Sequence, residues 1–416
     1  MTLDPDALTT ELEGRLAGAD AALAQQFPGE RATRQPVHTV YVPADRYDAG
    51  LVPQWGREAL AALDEHGGSA ADFAATLGLP ATLADEVVSR VRSKLEREPI
   101  EDLRIDFEDG YGPRPDPEED QAVDASVKGL RESVASGTAA PFHGIRFKSF
   151  EAPTRARGVR TLARFVEGVA DGDALPDGFV VTLPKVTSVE QVEAMVHACE
   201  QIESGLGLRS GAMGFEIQVE TPQAIVGPDG SALVARMVHA STGRCTALHY
   251  GTYDYSASCG IAAAYQSMEH PAADYAKAVM QVAAAGTGVR LSDGSTNILP
   301  VGDRERVHAG WALHARLVRR SLERGYYQGW DLHPAQLPSR YAATYAFYRE
   351  GLPAAAERLR NYVGQVDSGV MDEPATARAL ADFVVRGLDC GAVDDAEVES
   401  LTGIDRGRLD TLAKRA

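Results

Sequence analysis

The chain alternates short apolar runs, rich in β-branched residues, with longer segments of helical pattern. This alternation is typical of βα units, in which helices join successive parallel strands. Eight runs predict strands, at residues 37–43, 103–107, 144–150, 179–186, 214–220, 246–250, 295–301 and 328–332. The seventh run has a competitor at 289–291. Eight strands alternating with helices over about 300 residues predict an α/β protein with a (β/α)8 TIM barrel.

Two regions exceed a minimal barrel. Residues 51–100 separate the first two strands by a segment that predicts two or three inserted helices. The chain after residue 337 is helical in pattern, with breaks at 367–374 and 391–395. We therefore expect a helical segment at 1–36, a barrel at 37–336 with the insertion, and a helical extension at 337–416.

Composition limits the classes of function. The chain has 416 residues, of which 44% are hydrophobic, so it can bury a large core. Its net charge of −19 disfavours nucleic acid as a partner, and an anionic substrate would need a local cation. The sequence has no membrane-spanning run and no signal peptide, which predicts no membrane partner and a cytoplasmic location. The four cysteines are too widely spaced to suggest a disulfide framework or a zinc site.

Polar residues at the carboxyl ends of the predicted strands are candidates for an active site, because barrel enzymes carry their sites there. Glu220 ends the fifth strand and Asp254 follows the sixth. Two carboxylates on adjacent strands can share a hard cation, with water and substrate oxygens completing the coordination of Mg²⁺. The alternatives are a helix cap for Glu220 and a loop-forming role for Asp254.

A second acidic group follows the second strand. Asp106, Glu108 and Asp109 place three acids within four positions, and such crowding raises at least one pKa unless cations lie nearby. The available cations are Arg146, Lys148 and Lys185, at the ends of strands three and four. They could bind substrate, or they could form an ion-pair lattice with these acids. His333, at the end of the last strand, is either a structural residue or a hydrogen-bonding partner of a metal-bound water.

Seven motifs in sequence order carry a resemblance to a known family: YVP, IDFEDG, IRFKSF, LPKV, VETPQAI, GTYDYSASCGI and GWDLHPAQL. The chain resembles the citrate lyase β-subunit-like branch of the HpcH/HpaI aldolase/citrate lyase family. The resemblance implies a (β/α)8 barrel, a Mg²⁺ ion, and carbon–carbon cleavage or formation through an enolate.

By position, the resemblance implies roles for individual residues. Glu220 and Asp254 match metal ligands, and Arg146 matches the arginine that contacts substrate carboxyl and carbonyl oxygens. The acids Asp106, Glu108 and Asp109 match a cluster around metal-bound waters, and His333 matches a histidine at the last strand. We take Asp106, Asp109 or His333 as the proton-transferring group, Glu108 as a residue supporting the first coordination sphere, and Lys148 and Lys185 as substrate-binding residues beside Arg146. Lys148 departs from the family, which usually has Asn at that position.

The resulting expectation is a lyase or aldolase that uses Mg²⁺, with Mn²⁺ as an alternative, on a 2-oxo acid or 3-hydroxy acid. Whether the substrate is a coenzyme A thioester stays open. The alternatives are a malate synthase-like condensation of acetyl-CoA with glyoxylate, and a non-catalytic barrel that binds organic acids or acyl-CoA. We also expect a homo-oligomer, a trimer or hexamer among the candidates. The reason is an apolar stripe in the tail that would need a partner, formed by Tyr341, Tyr345, Phe347, Leu352, Leu380, Phe383 and Val384.

Overall fold

The computed structural model describes residues 4–364 and 373–413. Eight parallel strands alternate with helices in a (β/α)8 TIM barrel, which confirms the predicted fold. The strands are His38–Pro43 (β1), Asp102–Asp106 (β2), Phe142–Arg146 (β3), Phe179–Leu183 (β4), Phe215–Val219 (β5), Cys245–Tyr250 (β6), Arg290–Ser292 (β7) and Gly329–Asp331 (β8).

Backbone hydrogen bonds join the strands in the order β7–β6–β5–β4–β3–β2–β1–β8. The two end strands meet through a parallel bridge between Ser292 and Gln328, and the Asp293 amide donates to the Gln328 carbonyl at 2.8 Å. These contacts bring the ring close to closure. The carboxyl ends of the strands therefore meet on one rim.

The seventh strand is not the run 295–301. That assignment is wrong, and the competing run forms the strand as β7. The run 295–301 contains Pro300, which cannot donate to a ladder, and its Ile298 and Val301 side chains are exposed. It forms a loop on the rim, where the Asn297 amide donates to the Tyr253 hydroxyl at 2.7 Å.

Sixteen α-helices lie within the described residues. They are Pro5–Gln26 (α1), Leu51–His66 (α2), Ala70–Leu77 (α3), Ala84–Arg97 (α4), Asp116–Ala135 (α5), Arg155–Val169 (α6), Val189–Leu206 (α7), Pro222–Ile225 (α8), Leu233–Ala240 (α9), Thr252–Ser258 (α10), Pro271–Ala284 (α11), Arg304–Glu323 (α12), Leu337–Gly364 (α13), Pro374–Cys390 (α14), Asp395–Thr402 (α15) and Arg406–Ala413 (α16). None of the helices in the described chain is long and apolar enough to cross a membrane.

The insertion after β1 forms three helices, α2 to α4, within the expected number. Helix α3 begins with a reciprocal capping box between Ser69 and Asp72, and it ends at Gly78, whose φ of +69° requires the left-handed region. The insertion packs against α12 and α13, so it covers one side of the barrel.

The apolar stripe of the tail is covered by the chain itself. Tyr341 and Tyr345 of α13 are buried in the main core, while Leu352 packs with Val384 of α14 in a second cluster. The expectation that this stripe needs a neighbouring subunit is therefore wrong. The predicted break at 391–395 is observed between α14 and α15, and most of the break at 367–374 lies outside the described residues. The division of the chain at residues 36 and 336 stays a prediction.

The lower part of the barrel interior is polar and ion-paired. The guanidinium of Arg104 donates to both oxygens of Glu216, at 3.1 and 2.8 Å, and also binds Asp102. His249 lies 3.1 Å from Glu216. Burial alone would raise the pKa of Glu216, but the interactions with Arg104 and His249 outweigh it and hold the pKa well below its usual range. This layer forms the floor beneath the rim.

Candidate active site

Four carboxylates converge on one ammonium group at the rim. The Nζ atom of Lys185 lies 2.6 Å from Asp109, 2.9 Å from Glu108, 3.6 Å from Asp254 and 3.9 Å from Glu220. The acids come from the ends of β2, β5 and β6, and Lys185 follows β4. We call these four carboxylates the acidic cluster. It brings together the two proposed metal ligands and two of the three acids that follow the second strand.

Glu220 is the buried member of the acidic cluster, with 1% of its surface exposed. One carboxylate oxygen accepts from the Lys185 amide at 2.8 Å, and the other accepts from the Gln218 side chain at 2.5 Å. The close approach of Gly251 completes the packing. A Cβ atom at Gly251 would lie 2.5 Å from the Cβ of Glu220, so only glycine leaves room for this carboxylate.

The pKa of Glu220 is raised to about 8. Burial is the largest cause, and the negative charges of Asp254 and Glu108 add to it. Lys185 and Arg146 act in the opposite direction without compensating fully. The carboxylate is therefore short of positive charge, which is the condition that a bound cation relieves.

Lys185 has a backbone φ of +51°, which is uncommon for a residue with a side chain. This conformation directs its amide to Glu220 while its ammonium reaches Asp109 and Glu108. Burial lowers the pKa of Lys185, but the Glu220 and Glu108 carboxylates outweigh burial and raise it well above its ordinary value. The ammonium therefore keeps its charge at neutral pH.

Arg146 lies beside the acidic cluster and is held on three sides. Its Nε and Nη2 atoms donate to the two oxygens of Asp106 at 2.7 and 2.6 Å, and its Nη1 donates to Gln218 at 3.3 Å. The guanidinium lies over the ring of Tyr41, 4.9 Å from its centroid. The Nη1 edge also lies 3.5 Å from Glu108, so this edge faces the cluster.

The acids after β2 differ in their surroundings. Asp106 accepts from the amides of Glu108 and Gly110 as well as from Arg146, so its oxygens are fully engaged. Burial raises the pKa of Glu108 above its usual value. Asp109 is half-exposed, and although burial opposes it, the hydrogen bond from Lys185 lowers its pKa. Asp109 is thus the ionised, accessible acid.

Lys148 lies outside the acidic cluster. Its Nζ donates to the Phe107 carbonyl and to the buried carboxylate of Glu119 on α5, each at 2.7 Å. Because side chains alternate along an extended segment, Lys148 would be expected to share the face of Arg146. However, β3 ends at Arg146. Lys148 therefore lies beyond the strand, where the alternation of side chains no longer determines its direction.

His333 lies at the end of β8 on the same rim. Its Nδ1 accepts from the Ala335 amide at 3.1 Å and caps the short helical turn that precedes α13. Burial lowers its pKa, so the ring is neutral at neutral pH. The hydrogen bond to Ala335 agrees with the structural alternative for this histidine.

Gln218 and Tyr41 contribute to the site although the sequence analysis did not single them out. Gln218 joins Arg146 to Glu220, and Tyr41 supports the guanidinium. Gln218 lies two residues before Glu220 on β5, so the two-residue period of a strand would have placed both on the same face. Tyr41 belongs to the YVP motif, but nothing in its spacing indicated a contact with Arg146.

Glu220 and Asp254 are the candidates for a two-carboxylate metal site. Across residues 4–364 and 373–413, no group of three or more His, Cys, Asp or Glu side chains is arranged to hold a metal ion. Glu220 and Asp254 nevertheless supply oxygens at one point of strong negative charge, and Mg²⁺ usually takes only one or two carboxylates together with waters and substrate oxygens.

A family sequence model, described as a domain of unknown function (DUF6986), matches residues 16–416. The chain belongs to this family. A search of curated proteins finds no match.

Solved structures show the same fold at low sequence identity. Malate synthase from Haloferax volcanii, as a lead(II) complex, matches with a TM-score of 0.51 at 12% identity, covering 93% of this chain and 100% of that one. The CitE protein of Mycobacterium tuberculosis, with magnesium, acetoacetate and coenzyme A, matches with a TM-score of 0.50 at 16% identity, covering 86% and 99%. An HpcH/HpaI aldolase/citrate lyase family protein from Burkholderia cenocepacia matches with a TM-score of 0.43 at 14% identity, covering 82% and 99%. The first two of these structures share the barrel fold of this chain.

Replacing Lys148 tests whether it acts in the fold or in the site. We expect Lys148→Met to lower the free energy of unfolding by about 1–3 kcal/mol, because the buried Glu119 loses its lysine partner and keeps Arg157 as its cation. Binding of Mg²⁺ should be unchanged. Thermal unfolding and calorimetry measure the two effects, with the exposed Lys128→Met on the same helix as Glu119 as the control. A stable variant with weakened Mg²⁺ binding would place Lys148 in the site.

When a chelator removes divalent ions, the ionisation of Glu220 should make the free energy of unfolding depend on pH. Its pKa is about 8 in the folded chain against 4.5 in the unfolded chain, so the folded state binds more protons between these values. Stability should therefore fall as pH rises from about 4.5 to about 8, at up to ~1.4 kcal/mol per pH unit. Glu220→Gln, which stays neutral, should lose this slope in denaturant titrations. Parallel pH profiles for the two proteins would contradict the assigned pKa.

Proposed function

We propose that this chain is a Mg²⁺-dependent carbon–carbon lyase or aldolase that acts through a stabilised enolate on a 2-oxo acid or 3-hydroxy acid. The observation that carries the proposal is the acidic cluster beside the Nη1 edge of Arg146, at the open end of the barrel. This arrangement combines a place for a divalent cation with a fixed guanidinium only a few ångströms away. A substrate with adjacent carboxylate and keto oxygens is complementary to both.

Glu220 and Asp254 would hold the ion, with Mn²⁺ as a substitute for Mg²⁺. Their oxygens are hard donors, and the raised pKa of Glu220 means that a cation is favoured beside it. When bound, the ion would supply Lewis-acid polarisation of a keto oxygen. Lys185 already contributes one positive charge at this point, so substrates with one or more carboxylates would be favoured.

Arg146 would bind the oxygen on which negative charge develops. Its planar fork is fixed by the bidentate pair with Asp106, which leaves the Nη1 edge for the substrate. A donor oriented in advance stabilises developing charge without reorganisation. We therefore give Asp106 a positioning role instead of a proton-transfer role.

We propose Asp109 as the group that transfers the proton. It is half-exposed, its pKa is lowered, and it contacts Lys185 together with the other three members of the acidic cluster. An ionised carboxylate in this position can accept the hydroxyl proton of a 3-hydroxy acid as the carbon–carbon bond breaks. His333 would contact the distal part of a longer substrate.

The structural neighbours support this class of reaction and also a second candidate. The CitE protein binds magnesium, acetoacetate and coenzyme A, which favours an acyl-CoA thioester among the substrates. The malate synthase of Haloferax volcanii, seen also with pyruvate and acetyl-CoA, covers more of this chain than CitE does. This coverage favours a Claisen condensation of acetyl-CoA with glyoxylate as the alternative function.

Product analysis distinguishes the candidates. The purified protein would be incubated with Mg²⁺ and glyoxylate, pyruvate or oxaloacetate, each with and without acetyl-CoA, and with 3-hydroxy acids and their thioesters. Cleavage without acetyl-CoA supports the aldolase, and condensation that requires acetyl-CoA supports the synthase. Binding of these acids without turnover of any of them would identify the barrel as a non-catalytic binding protein.

Removal of either carboxylate should weaken Mg²⁺ binding. We expect Glu220→Gln and Asp254→Asn each to raise the dissociation constant roughly tenfold or more, a change of at least ~1.4 kcal/mol. Calorimetry measures the affinity, and Asp124→Asn, at a similarly exposed but remote acid, is the control. Because Glu220 must lose its proton to bind the ion, the wild type should also release protons on binding at neutral pH. Wild-type affinity in both variants would exclude this site.

Arg146 variants separate chemistry from folding. Arg146→Lys keeps the charge but loses the fork, so we expect turnover to fall by about 10²–10³-fold with a smaller loss of stability. Arg146→Ala leaves Asp106 unpaired and should cost about 3–5 kcal/mol of unfolding free energy. Turnover and thermal unfolding are measured together, with Arg164→Lys as a surface control. An active lysine variant beside a badly destabilised alanine variant would show that Arg146 is only structural.

A further inference from the structure

Helix α1 stands outside the barrel with every residue from Pro5 to Gln26 exposed. It begins at Asp4, whose side chain caps the first turn. Its other end is fixed at the bottom of the barrel, where the Phe27 ring contacts His239 and the Gly29 amide donates to the Gly286 carbonyl. The helix therefore projects from the end of the barrel opposite the rim.

One face of α1 is apolar. At 100° per residue, Leu8, Leu12, Leu16, Ala19 and Leu23 fall within an arc of about 80°. The four leucines are between 44% and 60% exposed. A helix that keeps such a face in water has no packing to stabilise it.

Two glycines make an isolated α1 weaker still. Gly14 and Gly18 lie in its interior, with no atom within 4 Å of the positions where a Cβ would stand. Each glycine lowers the stability of a helix relative to alanine. The helical state of α1 therefore depends on a partner for the leucine face.

We propose that the leucine face of α1 pairs with the same face of α1 from a second copy of this chain, antiparallel about a two-fold axis near Arg15 and Leu16. In this register Leu8 lies opposite Leu23 and Leu12 lies opposite Ala19 of the other copy. Leucine then meets leucine toward the ends of the contact, and leucine meets alanine nearer its middle. A two-fold axis satisfies both copies with one contact surface.

The charges of α1 favour the antiparallel direction. Its first half carries most of the acids, at Asp6, Glu11 and Glu13, whereas its second half carries only Asp20. A parallel pair would place each acid beside its own copy. The antiparallel pair places the acidic half of one helix against the nearly neutral half of the other, where the negative charges repel least.

The area buried between the two helices determines the expected affinity of the dimer. A helix of 22 residues is about 33 Å long and 10–12 Å wide, so the pair would bury on the order of 800 Å² in total. This area lies within the range of weak association. We therefore expect a dimer that dissociates on dilution.

Sedimentation of the full chain over a range of concentrations tests the proposal. Leu16→Glu places a charge midway along the leucine face, and Ala21→Glu places the same charge on the opposite face of α1. We expect the wild type and Ala21→Glu to dimerise alike and Leu16→Glu to stay monomeric, with unchanged thermal unfolding of the barrel. Dimers of Leu16→Glu, or a wild type that is monomeric throughout, would overturn the proposal.

Disulfide trapping tests the direction and the surface. In a Cys259→Ser background, which removes the exposed native thiol, Leu16→Cys should form a cross-linked dimer on oxidation, and Leu23→Cys should not. Cross-linking through Leu23→Cys would indicate a parallel pair and contradict the antiparallel register.

A second surface that could bind the leucine face is the apolar groove between α6 and α7, of about 650 Å³ and lined by Val159 and Ile202. Loss of the dimer in Ile202→Glu would assign α1 to that groove and refute the pairing.

Discussion

Three side chains spaced two residues apart along β5 and its carboxyl end each contact a cationic residue from another strand of the barrel, and the site depends on this ladder. Glu216 binds Arg104 of β2 at the bottom, and Gln218 binds Arg146 of β3 in the middle. Glu220 accepts the amide of Lys185 at the top. Because side chains alternate along a strand, residues two apart are the only ones that can do this together. The floor, the guanidinium and the acidic cluster are therefore fixed relative to one another by one strand.

The ladder also explains why the interior tolerates so many charges. A buried charge is costly unless a partner and hydrogen bonds compensate for it. In the lower layers the compensation is close: Glu216 has Arg104, His249 and hydrogen bonds from Tyr41 and Thr182. In the top layer the acids outnumber the cations around Lys185. The excess of negative charge is therefore concentrated at the open end of the barrel, where a ligand can reach it.

The sequence predicted the barrel because the alternation of strands and helices is a strong periodic signal. It failed at the seventh strand, where two short runs compete and only pairing with β6 decides between them. Strand ends indicated that the acids after β2, β5 and β6 share one rim, and four of them lie around Lys185, whereas Asp106 pairs with Arg146. The role of Lys148 could not be predicted, because its partner Glu119 lies on a helix and the spacing gives no sign of that contact. Likewise, the tail stripe was visible in the sequence, but which surface covers it depends on how α13 folds back on the barrel.

Gly251 gives a means of sorting other sequences of this family. Its missing side chain is the space that the Glu220 carboxylate occupies, so these two positions are coupled by volume. A relative with alanine at this position would have to move its glutamate away from the rim, even if both carboxylates were still present in its sequence. Counting the acidic residues alone would not reveal this difference. The glycine therefore distinguishes a chain that keeps only the two carboxylates from one that also keeps the space for Glu220.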